Sequence, residues 1–389
     1  MKMDLVPVAR QQLKPVERNQ AHFFWKEMNI GYDASCVLHD RTSRGNAQRM
    51  IVEALAHCHP HHRYMLYTPC LPQETRHLRL LLNAPCVHIK TPHGLTLLKN
   101  RWRTGSGILH ACHRHYVKVF HGIDGVLPRG IEKSGMRSVV TVAELDQDTA
   151  QACRVADCIV ACSESVKREL ERTCGVEPGK VRVVHPGCEP AYAAAVTSSE
   201  IERVTGLYDL PPRYVLSIGA LDERHNLELT VRALAQVPSA DLHIVIVGHS
   251  TPYYKKVKTL AAECGVEKRL YRLPQVHASD LPAIYHQAVA TVCPSRYDAL
   301  GISLIESLSC GTPVIGATGS GMEEAGGPGG LYVDAHSPGQ LAQAIAAIAG
   351  DAGRRQAMAV AGAKHIEQFA MQPVADAMMT IYQELEAKP

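Results

Sequence analysis

Short apolar runs recur along the chain, separated by longer stretches whose apolar residues return every three or four positions. In the first half the runs are NIGYDA (29–34), RYMLYT (63–68), CVHIKT (86–91), VKVFHG (117–122), SVVTVAE (138–144), CIVACS (158–163) and VRVVHP (181–186). Most lack the polar alternation of a strand with one wet face, so they predict strands covered on both faces in a parallel sheet. Between them, NAQRMIVEALAHC (46–58) has helical spacing, and SESVKRELERTCG (163–175) opens on a Ser cap and ends at Gly. Strand and helix in alternation imply right-handed crossovers and an open α/β sheet.

From Glu189 to Pro212 the pattern breaks, with AYAAAVTSSE and a Pro-Pro pair, which places a domain boundary there. Alternation then restarts with strands at YVLSIG (214–219), LHIVIVG (242–248), RLYRLP (269–274), ATVCPS (290–295) and PVIGA (313–317). Helices fit at 227–236, 253–264, 279–288 and 302–310, and two or three more are expected in the Ala-rich stretch after Ser337. The reading is an N-terminal arm (1–28), a first Rossmann-like domain (29–195), a second (210–372) and a final helix (373–389) crossing back toward the first.

Composition narrows the class. The 389 residues are 46% hydrophobic and 20% charged, which excludes a disordered or fibrous chain. Lys and Arg number 41 against 38 Asp and Glu, too even a balance for a nucleic-acid partner. There is no apolar run of membrane-spanning length, and the first residues lack the apolar core of a signal peptide, so a cytoplasmic protein is expected. The 13 cysteines sit mostly inside apolar segments, as reduced thiols do. Histidine is abundant at 21.

Ligands of open parallel sheets bind beyond the carboxyl ends of the strands. The richest such stretch is CPSRYDALGISLIESLSCGTPVIGA (293–317). There Asp298 lies in a loop after a buried strand, Gly301 and Ile302 open a helix, and Glu306 rides on that helix. Two carboxylates eight residues apart across a glycine suit one group for a sugar and one for a ribose diol, and the helix start offers N–H groups to phosphate.

With these residues the chain resembles the retaining glycosyltransferases of family 4, which have the two-domain GT-B fold. PSRYDALGISLIESLSCGTPV is similar to the family's Glu–seven residues–Glu pattern, with Asp298 for the first Glu and Glu306 for the second. IGYDASCVLHDRTSRGNAQRM resembles its opening strand and acceptor-side glycine loop, with Gly45 kept and Ala47 at a usual second glycine. YVLSIGALDERHNLELTVRAL, containing Gly219, Arg224, His225 and Asn226, resembles its donor loop, and GSGMEEAGG places Glu324 at a later family Glu. The resemblance covers nearly all of the chain after residue 28. It implies a nucleotide sugar on the second domain, with Arg224 and His225 on the diphosphate, Glu306 on the ribose and Asp298 on the transferred sugar. It implies no metal and no cofactor. The donor-binding set is then Gly219, Arg224, His225, Asp298, Gly301, Ile302 and Glu306, with Asp298, His121 and Arg224 as the catalytic candidates.

Two departures stand out. A family T-x-H-D-L segment is TVAEL here, with Ala143 for the His and Glu144 for the Asp, and the Lys of an RKN element is His225. His225 is neutral at an unperturbed pKa, although a bound diphosphate favours its charged form. These losses leave a second reading open, a weakly active or inactive GT-B protein serving as a binding or regulatory partner. His121, in VFHG after a strand, is weighed equally as a cleft residue and as a core histidine.

The contiguous run His57-Cys58-His59-Pro60-His61-His62 and the group His110, Cys112, His113 and His115 both suit a solvated segment better than a metal site, whose ligands converge from separate segments. Lys99, Arg101 and Arg103 around Trp102 form a basic segment that fits an anionic membrane surface or a lipid-linked acceptor. The expectation is a cytoplasmic hexosyltransferase of bacterial surface polysaccharides, with peripheral association at the inner membrane face left open. GDP-mannose is its favoured donor, a UDP-sugar the next, and a saccharide or lipid-linked molecule its acceptor.

Overall fold

The computed structural model describes residues 27–73, 75–92 and 105–387. The arm up to residue 26 and the basic segment with Lys99, Arg101, Trp102 and Arg103 lie outside the described residues.

Two parallel sheets organise the chain. The first holds β1 (Asn29–Asp33), β2 (Arg63–Tyr67), β3 (Val87–Lys90), β4 (Val119–Gly122), β5 (Arg137–Val142), β6 (Cys158–Ala161) and β7 (Val181–Val183), in the order β3-β2-β1-β4-β5-β6-β7. The second holds β8 (Tyr214–Ile218), β9 (His243–Val247), β10 (Leu270–Leu273), β11 (Thr291–Cys293), β12 (Val314–Ala317) and β13 (Gly330–Val333), in the order β10-β9-β8-β11-β12-β13. In each sheet the winding reverses beside the first strand, between β1 and β4 and between β8 and β11. That is the switch point at which such sheets open a crevice.

The unalternating runs behave as their pattern demands. β4, β6 and β12 are buried at every residue because helices cover both faces. β13 is the strand the sequence does not announce: GLYV is short and follows GGPG, which reads as a loop, yet it pairs with β12 from Gly330 to Val333.

The boundary region departs from a plain linker. Ser198–Tyr208 is a helix started by a complete capping box, Thr197 with Glu200. It is bound to the second domain, where Arg203 and Tyr208 donate to Asp280 and Thr205 to Gln287. The last helix, Met371–Ala387, turns its Val374, Met378, Tyr382 and Leu385 into the first domain's core with Ile51, Leu55 and Val160. A further apolar cluster joins Val142, Ile159 and Cys162 of the first domain to Leu300, Leu304 and Met322 of the second. No helix among the described residues is long and apolar enough to cross a membrane.

Candidate active site

The crevices of the two sheets face each other across a cavity of about 350 Å³. From the second domain it is lined by Gly219, Arg224, His225, Asp298, Ile302 and Glu306; from the first by Arg41, Arg44, Gln48, Thr141, Ala143 and Glu144.

The loop after β8 carries the cations. Asp222 accepts from the backbone N–H of Arg224 and of His225, and His225 Nδ1 lies 2.7 Å from Asp222 Oδ1. Burial pushes the Asp222 carboxyl up, but the hydrogen bonds from His225 and the charge of Arg224 outweigh it and leave it below its ordinary range. Gly219 has φ +139°, and a Cβ there would come within 3.2 Å of the His225 ring, so a side chain at 219 would displace the imidazole. Arg224 reaches across the cleft, donating from Nη1 to Glu144 Oε1 at 2.7 Å. Asn226, in the left-handed region at φ 55°, donates from Nδ2 to the carbonyls of Pro294 and Ala335 and thereby ties three loops together.

The loop after β11 supplies the carboxylates. Asp298 Oδ1 accepts from the N–H of Leu300 and, at 2.6 Å, of Gly301, so the carboxylate shapes the turn that starts helix Ile302–Ser309. Gly301 has φ +75°, which favours glycine there. Burial pushes the Asp298 carboxyl up against the pull of the two amides and of His225 and Arg224. Glu306 faces the cavity from the helix, and Tyr285 donates to its Oε2 at 2.7 Å. Burial raises its pKa to about 7, although the hydroxyls of Tyr285 and Tyr192 favour the carboxylate.

Gly45 sits in the first turn of helix Ser43–Cys58, where Thr42 caps it. A Cβ at Gly45 would lie 2.5 Å from the Asp40 carbonyl oxygen, so the glycine brings the loop onto the helix, and its neighbours Arg44, Asn46 and Ala47 line the cavity. Arg44 pairs with Asp124 at 3.0 Å, and Gln48 donates to the same carboxylate.

One expectation is corrected. His121 does not reach the cleft: it is fully buried behind Thr141, 2.7 Å from Thr141 Oγ1 through Nε2 and 2.7 Å from the Tyr382 hydroxyl through Nδ1. Burial drives its pKa down to about 3, so it stays neutral. Alternation put it on the cavity side, but the last helix covers that side of the strand end. Glu324, at the family's later Glu, bridges the domains. Its carboxylate accepts from the N–H of Glu164, the first residue of helix Glu164–Cys174 in the opposite domain, and pairs with His185 Nε2. The histidine runs have structural partners: His59 pairs with Asp376, His62 Nδ1 accepts from the N–H of Met28, and His115 Nδ1 lies 2.9 Å from the Tyr67 hydroxyl.

The sequence reading missed Thr141, Glu144 as an ion-pair partner, and Tyr285. The signal for Thr141 was available in its place two residues before Ala143 on the same face of β5.

Two Rossmann-type domains, a cation loop after the first strand of the second and a carboxylate-bearing helix start opposite define a protein of GT-B architecture. The chain matches the family model "Glycosyltransferase Family 4" over residues 31–192 and "Glycosyl transferases group 1" over residues 198–365. The chain belongs to the family 4 glycosyltransferases. It is similar to the D-inositol 3-phosphate glycosyltransferase of Acidothermus cellulolyticus, 29% identical over 251 residues, which are 61% of this chain and 56% of that protein. The one from Rhodococcus jostii is 26% identical over 298 residues, covering 74% of this chain and 62% of that protein. The chain thus spans little more than half the length of the curated relatives it matches. A solved glycosyltransferase from Rickettsia africae shares the fold at TM-score 0.76 and 17% identity, over 94% of this chain and all of that one. Anabaena HepE, solved with UDP and glucose, shares it at TM-score 0.72 and 15% identity, over 92% of this chain and all of that one.

Proposed function

We propose that the protein transfers a hexosyl group from a nucleoside diphosphate sugar to a hydroxyl-bearing acceptor, with retention and without a metal. The observation that carries this reading is the convergence of Arg224, Asp298 and Glu306 on one cavity between the domains. Glu306 as a carboxylate accepts two ribose hydroxyls. The Arg224 guanidinium and the start of helix Ile302–Ser309 balance the charge on the departing diphosphate without reorganising. Asp298, fixed by two amides, is placed for a hydroxyl of the transferred sugar. The same three residues weigh against a non-catalytic partner role.

For the donor we favour a uridine diphosphate sugar over GDP-mannose. HepE, which shares the fold, was solved with UDP-glucose. For the acceptor, Arg41 and Arg44 at the first-domain rim fit an anionic group, and the curated relatives act on D-inositol 3-phosphate by name. A small phosphorylated polyol is therefore the acceptor class we favour over a lipid-linked saccharide. Thermal melting of the whole chain with UDP, GDP, UDP-glucose and GDP-mannose, followed by transfer assays with D-inositol 3-phosphate, tests this. Ligands that bind only the folded state raise the melting temperature. No shift with any of the four would overturn the reading.

A further inference from the structure

A buried chain of hydrogen bonds runs from the first domain's core to the cavity. Tyr32 and Tyr382 meet hydroxyl to hydroxyl at 3.1 Å, Tyr382 meets His121 Nδ1 at 2.7 Å, and His121 Nε2 meets Thr141 Oγ1 at 2.7 Å. Tyr32, His121 and Tyr382 have no exposed surface, and Thr141 lines the cavity.

Counting protons gives the chain a direction. A neutral imidazole has one N–H, so the four side chains hold four donors for three links, and one donor is surplus. With every link made, three arrangements exist, and one of them, in which Tyr382 accepts from both Tyr32 and Nδ1–H while Thr141 donates to Nε2, leaves the buried Tyr382 O–H as the surplus donor. In a second, Thr141 donates to Nε2, Nδ1–H donates to Tyr382, Tyr382 donates to Tyr32, and the Tyr32 O–H is left over in an apolar core beside Tyr64. In the third, Tyr32 donates to Tyr382, Tyr382 donates to Nδ1, Nε2–H donates to Thr141, and the surplus O–H is that of Thr141 at the cavity. A buried donor without a partner is costly, whereas one facing a ligand or water is not.

We propose that Thr141 is a substrate-contacting residue whose hydroxyl is held as a hydrogen-bond donor toward a sugar or acceptor oxygen, with His121 and Tyr382 as its positioning residues. The first domain then polarises its wall of the cavity through the last helix of the chain. The site beside Thr141 is Ala143, which has no polar group of its own, so the Thr141 proton is directed at the same part of the ligand. The ligand half of this proposal rests on the transferase reading; the direction of the chain does not.

Two measurements separate them. Nitrogen-15 NMR of the histidine-labelled full chain, with the His121→Gln variant for assignment, reads the tautomer directly. The Nε2–H form is expected from pH 5 to 8, and an Nδ1–H form or a protonated ring in that range overturns the proposal even if transfer is confirmed. Kinetics with UDP-glucose and D-inositol 3-phosphate, or UDP-glucose hydrolysis alone, then test the contact. Thr141→Val should lower kcat/KM about tenfold, as loss of one hydrogen bond does, Thr141→Ser should restore it to within about threefold, and UDP affinity should be unchanged. Tyr382→Phe, checked for folding by its melting curve, should lower kcat/KM in the same direction and release the His121 tautomer. A Thr141→Val variant with unaltered kcat/KM would overturn the contact.

Discussion

Arg224 lies between two carboxylates, Glu144 across the cleft and Asp222 in its own loop. In the proposed role, a diphosphate competes with Glu144 for that guanidinium, so part of its attraction is spent in displacing Glu144. Arg224→Ala should therefore weaken UDP-glucose binding by calorimetry more than His225→Ala does, by about tenfold or more, since hydrogen bonds to charged groups are worth roughly 1.5–3 kcal/mol. Equal losses from pH 6 to 8 would count against Arg224 as the main phosphate ligand. Glu144→Gln should do the reverse and tighten binding about two- to fivefold, the range of an exposed ion pair.

Glu306 makes the same residue-scale point through pH. Its folded pKa of about 7 lies above the ordinary glutamate value, so the fold favours the protonated form. Between the unfolded value and about 7 the native state holds the extra proton, and stability falls as pH rises through that window. Glu306→Gln should accordingly stabilise the ligand-free protein at pH 8, by about 1–2 kcal/mol in denaturant melts, and change little at pH 5. The proposed ribose contact uses the carboxylate form of Glu306, so donor affinity should rise toward pH 8 in the wild type and stay flat in the variant. A destabilised variant at pH 8 would refute the burial argument.

At the scale of elements, the helix Ser198–Tyr208 was readable but not read. Thr197 and Glu200 are a capping-box pair, and both reciprocal bonds form. Thr197→Ala should cost about 1 kcal/mol in a denaturant melt, and a loss below the error of the melt would show the helix is held by Asp280 alone. Short apolar runs, most of them without alternation, revealed twelve of the thirteen strands among the described residues, because a strand sealed on both faces has few polar residues to disguise it. β13 escaped because four residues after a glycine-rich turn carry too little pattern. The Asp298–Gly301–Glu306 spacing was legible for the same kind of local reason: a turn and one helix fix it. His121 was not, because its burial depends on a helix some 250 residues downstream in the chain, as the separation of 261 positions to Tyr382 records.

Across the whole molecule, the two domains touch through polar contacts that ring the cavity. Ser163 donates to the Ala299 carbonyl at 2.6 Å, Tyr297 donates to Glu169, Arg224 pairs with Glu144, and Glu324 takes the first N–H of helix Glu164–Cys174 together with His185. All four join residues on opposite sides of one cleft, so each is made only when the domains approach, and each biases the closed arrangement by its own free energy. Glu324 contributes most among them on physical grounds. It is only about a fifth exposed, and a carboxylate at a helix start gains from the hydrogen bond and the dipole alike. Removing about 1–1.5 kcal/mol of closed-state contact lowers the closed-to-open ratio about tenfold. Glu324→Ala should thus show a larger radius of gyration by small-angle scattering without ligand. It should also transfer from UDP-glucose about tenfold more slowly, while UDP binding, assigned by the proposed function to the second domain, stays within about twofold of wild type. Slower transfer with an unchanged radius would place Glu324 in the chemistry instead of in the closure.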